Sequence, residues 1–121
     1  MEALILSHIS RCPGPYLRQL QKELAAPLGT LDYYLTKLLR RGEIYKLGSR
    51  PRYFPSQLDE LQAWAIYLLR EGPRALEEAG RLKCGKRLCP EVRDLLLRSV
   101  ESYECLRRDL VDNFIILMSM L

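Results

Sequence analysis

From Thr30 to Arg41, Leu31, Leu35 and Leu38 recur at i, i+4 and i+7, which turns one face of a helix inward. Thr30, Asp32, Tyr33, Thr36, Lys37 and Arg40 are left facing outward. Hydroxyls, a ring and cations in that arrangement suit base edges and phosphates in a nucleic-acid groove. Asp32 departs from a plain phosphate-binding face. It repels phosphate, but it can accept from a cytosine amine or simply suit the positive end of the helix. Arg18 lies on the preceding helical stretch, where it can meet the sugar–phosphate backbone. Arg50 and Arg52 stand in and just after a Gly48-Ser49-Arg50-Pro51 turn, placed to reach a minor groove or phosphates.

Other chemistry is thinly supplied. His8 is the only histidine and lies on or near the apolar face of the first helical stretch, so packing or surface exposure is its expected role. No nucleophile elbow or glycine-rich phosphate loop is present, carboxylates alternate with cations along helices, and no enzyme is expected. Cys84 and Cys89 are separated by four residues in a loop flanked by glycine and proline. They could remain reduced thiols or close into a disulfide. A pair from each of two subunits could also meet at a metal, since two cysteines alone cannot complete a tetrahedral site. No cofactor is expected.

The elements that must position these groups follow from periodicity and breakers. Leu4, Ile5, His8 and Ile9 mark a first helix that Cys12-Pro13-Gly14-Pro15 ends. Leu17, Leu20 and Leu24 mark a second, from about Tyr16 to Ala25, with Pro15 in its first turn. After Ala26-Pro27-Leu28-Gly29, Thr30 is expected to cap the third, and Gly42 to close it. Ile44–Leu47 and Arg52–Phe54 read as two short strands of a hairpin. Ser56-Gln57-Leu58-Asp59 resembles a capping box opening a helix with Leu58, Leu61, Ala65 and Leu68 inward. Beyond Gly72-Pro73 a shorter helix over 74–82 and a loop over 84–90 are expected. From Pro90 to Leu121 no glycine or proline interrupts, which allows one helix of about thirty residues, ~45 Å long.

Charge is distributed unevenly. Residues 1–56 carry nine Lys/Arg against four Asp/Glu, and residues 57–121 carry ten against eleven. A basic first half points to a polyanionic partner for that half. Arginines outnumber lysines fourteen to five, and there are one Asn and four Gln, an economy of thermolabile amides seen in proteins from hot environments. No apolar run approaches the ~20 residues of a membrane span, and Glu2 sits where a signal peptide would be positive. A cytoplasmic protein with no membrane partner is expected.

The stretch Tyr16–Pro55, with Gly29-Thr30-Leu31-Asp32-Tyr33-Tyr34-Leu35-Thr36-Lys37-Leu38-Leu39-Arg40-Arg41-Gly42-Glu43-Ile44 at its centre and Arg52-Tyr53-Phe54-Pro55 at its end, resembles archaeal and bacterial winged helix-turn-helix transcriptional regulators. It is most similar to the ArsR- and MarR-type DNA-binding region. The resemblance implies a mainly α fold with a small β-hairpin wing: a winged helix-turn-helix domain, residues 1–56, followed by a helical dimerisation region, residues 57–121. It implies sequence-specific binding of double-stranded DNA as a homodimeric regulator, through Arg18, Thr30, Asp32, Tyr33, Thr36, Lys37, Arg40, Arg50 and Arg52. The alternative is a winged-helix docking module for other proteins that does not bind DNA. The spacing of Cys84 and Cys89 does not reproduce the paired cysteines of ArsR metal sensors. Leu96, Tyr103, Leu110 and Leu117 recur every seven residues, and Leu106 and Phe114 add to that seam, which is expected to pair two copies. An unidentified small effector could bind without any residue marking its site.

Overall fold

Pro13, Gly14 and Pro15 cannot prolong a helix, and in the computed structural model, which describes residues 1–121, the first helix stops just before them. The chain forms two compact units, Met1–Leu58 and Asp59–Leu121. No helix is long and apolar enough to cross a membrane.

The first unit runs α1 (Glu2–Arg11), α2 (Leu17–Leu24), α3 (Leu28–Arg40), β1 (Ile44–Leu47) and β2 (Arg52–Pro55). Ile5 and Ile9 from α1, Leu20 from α2, Leu31, Leu35 and Leu38 from α3, and Ile44 and Tyr53 from the hairpin form its core. The tight α2–α3 connection turns on Ala25, at φ 49°, in the left-handed region that costs a residue with a Cβ. Thr30 does not cap α3: the helix starts three residues earlier, with Pro27 at the cap position (φ −62°, ψ 146°). Proline cannot donate an N–H, and there it need not, because the first helical N–H groups have no intrahelical partner. Gly42, at φ 73°, follows the end of α3, as its lack of a Cβ allows.

β1 and β2 pair antiparallel with Ile44 opposite Pro55 and Leu47 opposite Arg52. The segment before α2 adds to the outer edge of β2. Gly14 N–H donates to the Tyr53 carbonyl at 2.9 Å, Tyr53 N–H donates to the Pro15 carbonyl at 2.9 Å, and Tyr16 bridges Arg52. A helix, a short edge segment, two more helices and a hairpin, in this order, are compatible with a winged helix.

The second unit is built around α4 (Glu60–Glu71), in which Ala63 and every residue from Ala65 to Leu69 are buried. A helix buried on nearly all sides has to be wrapped by its neighbours. Here α5 (Val92–Ser102), α7 (Val111–Met118) and two 3₁₀ turns, Pro73–Ala75 and Gly80–Leu82, pack on it. Asp59 caps α4, accepting from Leu61 N–H at 3.1 Å, so the helix opens three residues later than the Ser56 expectation. At the other end Asn113 Nδ2 donates to the Leu69 carbonyl at 2.7 Å, satisfying one of the orphan acceptors of the last turn.

Three expectations fail in this unit. The helix expected over 74–82 is replaced by the two 3₁₀ turns, and the loop over 84–90 contains a second hairpin, β3 (Lys83–Cys84) with β4 (Arg87–Leu88). The thirty-residue helix is broken twice, at Tyr103 (φ −125°, ψ 105°) and Leu110 (φ −123°, ψ 24°), giving α5, the short α6 (Glu104–Asp109) and α7. Ser99, Val100, Ser102 and Tyr103 are all weak helix formers, and the Ser99 hydroxyl donates back to the Leu95 carbonyl at 2.7 Å. Breaking there lets α5 and α7 both lie on α4, burial that a straight rod would forgo.

Candidate nucleic-acid interface

The inward positions of α3 are fully covered, with Leu31, Leu35 and Leu38 at 0–1% exposure. Their burial fixes the helix and turns the opposite face to solvent. Asp32, Tyr33, Thr36 and Arg40 are exposed on that face, Tyr33 at 59%, and Thr30 and Lys37 are half-buried. Tyr33 and Tyr34 meet edge to face at 5.2 Å between centroids. Lys37 Nζ lies 5.4 Å from the centre of the Tyr33 ring and 3.8 Å from Glu2 Oε2. A lysine steered by two aromatic rings and a carboxylate is held near the surface rather than left to sweep it. Arg41, beyond the helix, is ion-paired with Glu2.

Between the start of α2 and the hairpin is a cleft of about 420 Å³ lined by Tyr16, Leu17, Arg18, Ser49, Arg50, Pro51 and Tyr53. It brings together two of the expected cations, Arg18 and Arg50, both exposed. The Arg50 guanidinium stands 5.7 Å from the Tyr16 ring centre. Burial pushes the Tyr53 phenol above its usual range, and the negative charge of Asp32 adds to that push.

Arg52 is placed differently from the expectation. It is only 5% exposed, donates to the Gly14 carbonyl at 2.7 Å and lies 5.0 Å from the Tyr16 ring centre. All four residues of β2 are buried, and Arg52 shares that environment. Arg52 opens the strand rather than crowning the turn, so its side chain braces the edge segment at Gly14 and Tyr16.

Outside this face, His8 Nε2 and Glu23 Oε2 are 2.9 Å apart, tying α1 to α2. Cys84 and Cys89 are joined in a disulfide across the second hairpin, with Cα atoms 4.9 Å apart. No group of three or more His, Cys, Asp and Glu residues is arranged to hold a metal ion. The expected pairing seam is divided. Leu96, Leu106 and Leu117 are buried within the chain, whereas Tyr103, Leu110 and Phe114 are half-buried. The apolar groups most exposed in the last helix are Val111, Ile115 and Ile116, at 51%, 60% and 45%.

Sequence reasoning passed over Tyr16, Ser49 and Tyr53 in the cleft, and Leu28 and Gly29 in the first turn of α3. Pro27 was the available signal for the last two, because a proline commonly precedes or opens a helix.

No family model matches the chain, and no solved structure matches it. Over 77 residues, 61% of the chain, it is 31% identical to a protein of Methanocaldococcus jannaschii named as an uncharacterized HTH-type transcriptional regulator. The chain spans 19% of that protein's length. The likeness, with the fold above, supports a helix-turn-helix regulator and does not extend to the ArsR or MarR subtype.

Proposed function

We propose that the chain binds duplex DNA in a sequence-specific manner and regulates transcription as a homodimer. The observation that carries this reading is the outward face of α3. It presents Asp32, Tyr33, Thr36 and Arg40 to solvent on a helix whose opposite side is locked into the core. In this reading α3 enters the major groove, with Thr30 and Lys37 at the edges of the contact. Arg18 and Arg50, in their shared cleft, meet sugar–phosphate backbone, and Arg52 holds the edge segment and hairpin in place instead of touching DNA. The net charge of the first unit, nine cations against four anions, draws it to a polyanion and makes affinity fall steeply with salt.

The homodimer rests on Val111, Ile115 and Ile116, an apolar strip of α7 that the rest of its unit leaves uncovered. Two copies pairing through it would carry two reading helices to half-sites spaced by a helical turn or a multiple of one. The test is selection of bound duplexes from a random pool at moderate salt. An enriched motif with two-fold symmetry is the expected result. Failure to enrich any motif would overturn the reading and favour a protein-docking module.

A further inference from the structure

Gly29 has no reason within the fold to be glycine. It lies in the first turn of α3, its φ is not in the left-handed region, and a Cβ built on it would meet nothing within 4 Å. Alanine there would strain nothing and would favour the helix, since glycine gives up more backbone freedom on folding. A glycine that the protein's own packing does not require is the residue to expect where another molecule comes close to the backbone.

Its place on the helix says which molecule. At about 100° per residue, the exposed arc of α3 runs from Leu28 through Asp32, Thr36 and Gly29 to Arg40 and Tyr33. Gly29 falls near the middle of that arc, at the end of the helix that enters a major groove first. Beside it Leu28 is 46% exposed, a large apolar side chain that the fold leaves in water.

We propose that Gly29 is the point of closest approach between α3 and DNA, and that Leu28 beside it reads a thymine methyl group. The inference rests on the DNA-binding reading above and sharpens it. With no side chain at the centre of the arc, the first turn can seat deeper than a Cβ would permit. That depth brings Leu28, at the edge of the arc in the same turn, within reach of the base edges lining the groove, where the thymine methyl is the apolar group on offer.

Fluorescence anisotropy with a labelled duplex carrying the selected site, and with a shuffled duplex of the same composition, tests both parts. Gly29→Ala should raise Tm by about 2 °C. It should also weaken the selected duplex roughly ten-fold and leave the shuffled one unchanged. Leu28→Ala should bind thymine and uracil versions of the site equally, whereas the parent chain prefers thymine. Gly29→Ala with undiminished affinity, or with a lowered Tm, would overturn the close-approach role. A parent chain indifferent to thymine and uracil would overturn the assignment of Leu28. If the parent chain binds no duplex selectively, the DNA-binding reading itself fails and this inference goes with it.

Discussion

Asn113 is the only asparagine in the chain, and it closes the C-terminal end of the helix around which the second unit is built. Its Nδ2 donates to the Leu69 carbonyl at 2.7 Å, and Leu69 is buried. Asn113→Leu keeps the side-chain volume but removes the donor, stranding that carbonyl where little water can replace it. Leaving a buried acceptor unsatisfied costs ~2 kcal/mol. With a urea dependence of about 1.5 kcal/mol per molar, the unfolding midpoint should fall by about 1.3 M. Asn113→Asp provides the sharper control, because it changes only the amide nitrogen. Its carboxylate would face a carbonyl at the negative end of α4, so the charged form is disfavoured and the folded-state pKa is raised above the unfolded value. Stability of this variant should be best at low pH, where the protonated group can donate. It should decline as pH rises from about 4, the unfolded carboxyl value, through the higher folded one. Urea titrations followed by circular dichroism, repeated across pH, measure both effects. An Asn113→Leu midpoint equal to the parent's, or an Asn113→Asp deficit that does not change with pH, would refute the argument.

The wing arginines should separate cleanly. Arg50→Ala should cost under ~1 kcal/mol of stability, the scale of an exposed contact with the Tyr16 ring, and flatten the salt dependence of DNA affinity by roughly one unit if it meets one phosphate, while Arg52→Ala should lose about 2 kcal/mol of stability with the Gly14 contact. Gly72, at φ 87° and ψ 179°, leaves a Cβ only 3.3 Å from Asn113 Oδ1, so Gly72→Ala should destabilise by about 2 kcal/mol in the same urea assay. In an ultraviolet titration Tyr53 should ionise above the usual tyrosine range, and Asp32→Asn should bring it part of the way back. Because the folded state holds that proton more tightly, its contribution to stability is lost as pH rises past the unfolded value near ~10, and Tyr53→Phe should remove that share of the alkaline decline. Ile115→Glu should yield a monomer by analytical ultracentrifugation at micromolar concentration, and a variant that still sedimented as a dimer would exclude this strip of α7 as the interface.

The first unit was legible because its information is local. Leucines at i, i+4 and i+7 identify the buried side of α3, and with it the exposed one, without any knowledge of what covers them. Two prolines around a glycine ended α1, and a four-residue turn between branched and aromatic runs marked the hairpin. Even there the capping residue was misjudged, because Thr30 fits a cap chemically while Pro27 already fixes the backbone geometry that starts the helix. The relative from Methanocaldococcus jannaschii supports the helix-turn-helix reading of the chain at coarse grain.

What the tertiary structure decided is where the same residue types end up once surfaces compete for burial. Arg50 and Arg52 look equivalent in the sequence, two residues apart around one turn. Only the pairing of β2 with the Gly14–Tyr16 segment turns one of them inward, and strand register depends on a partner far away in the chain. The region beyond Pro90 shows the same limit on a larger scale. Its lack of glycine and proline allowed an unbroken helix, and its seven-residue repeat allowed a seam for a second copy. The fold breaks that helix at Tyr103, within a stretch of weak helix formers, and again at Leu110, and buries Leu96, Leu106 and Leu117 inside the chain. Periodicity records that a face is apolar. What covers that face is settled by the area each arrangement removes from water, a quantity that depends on every element at once.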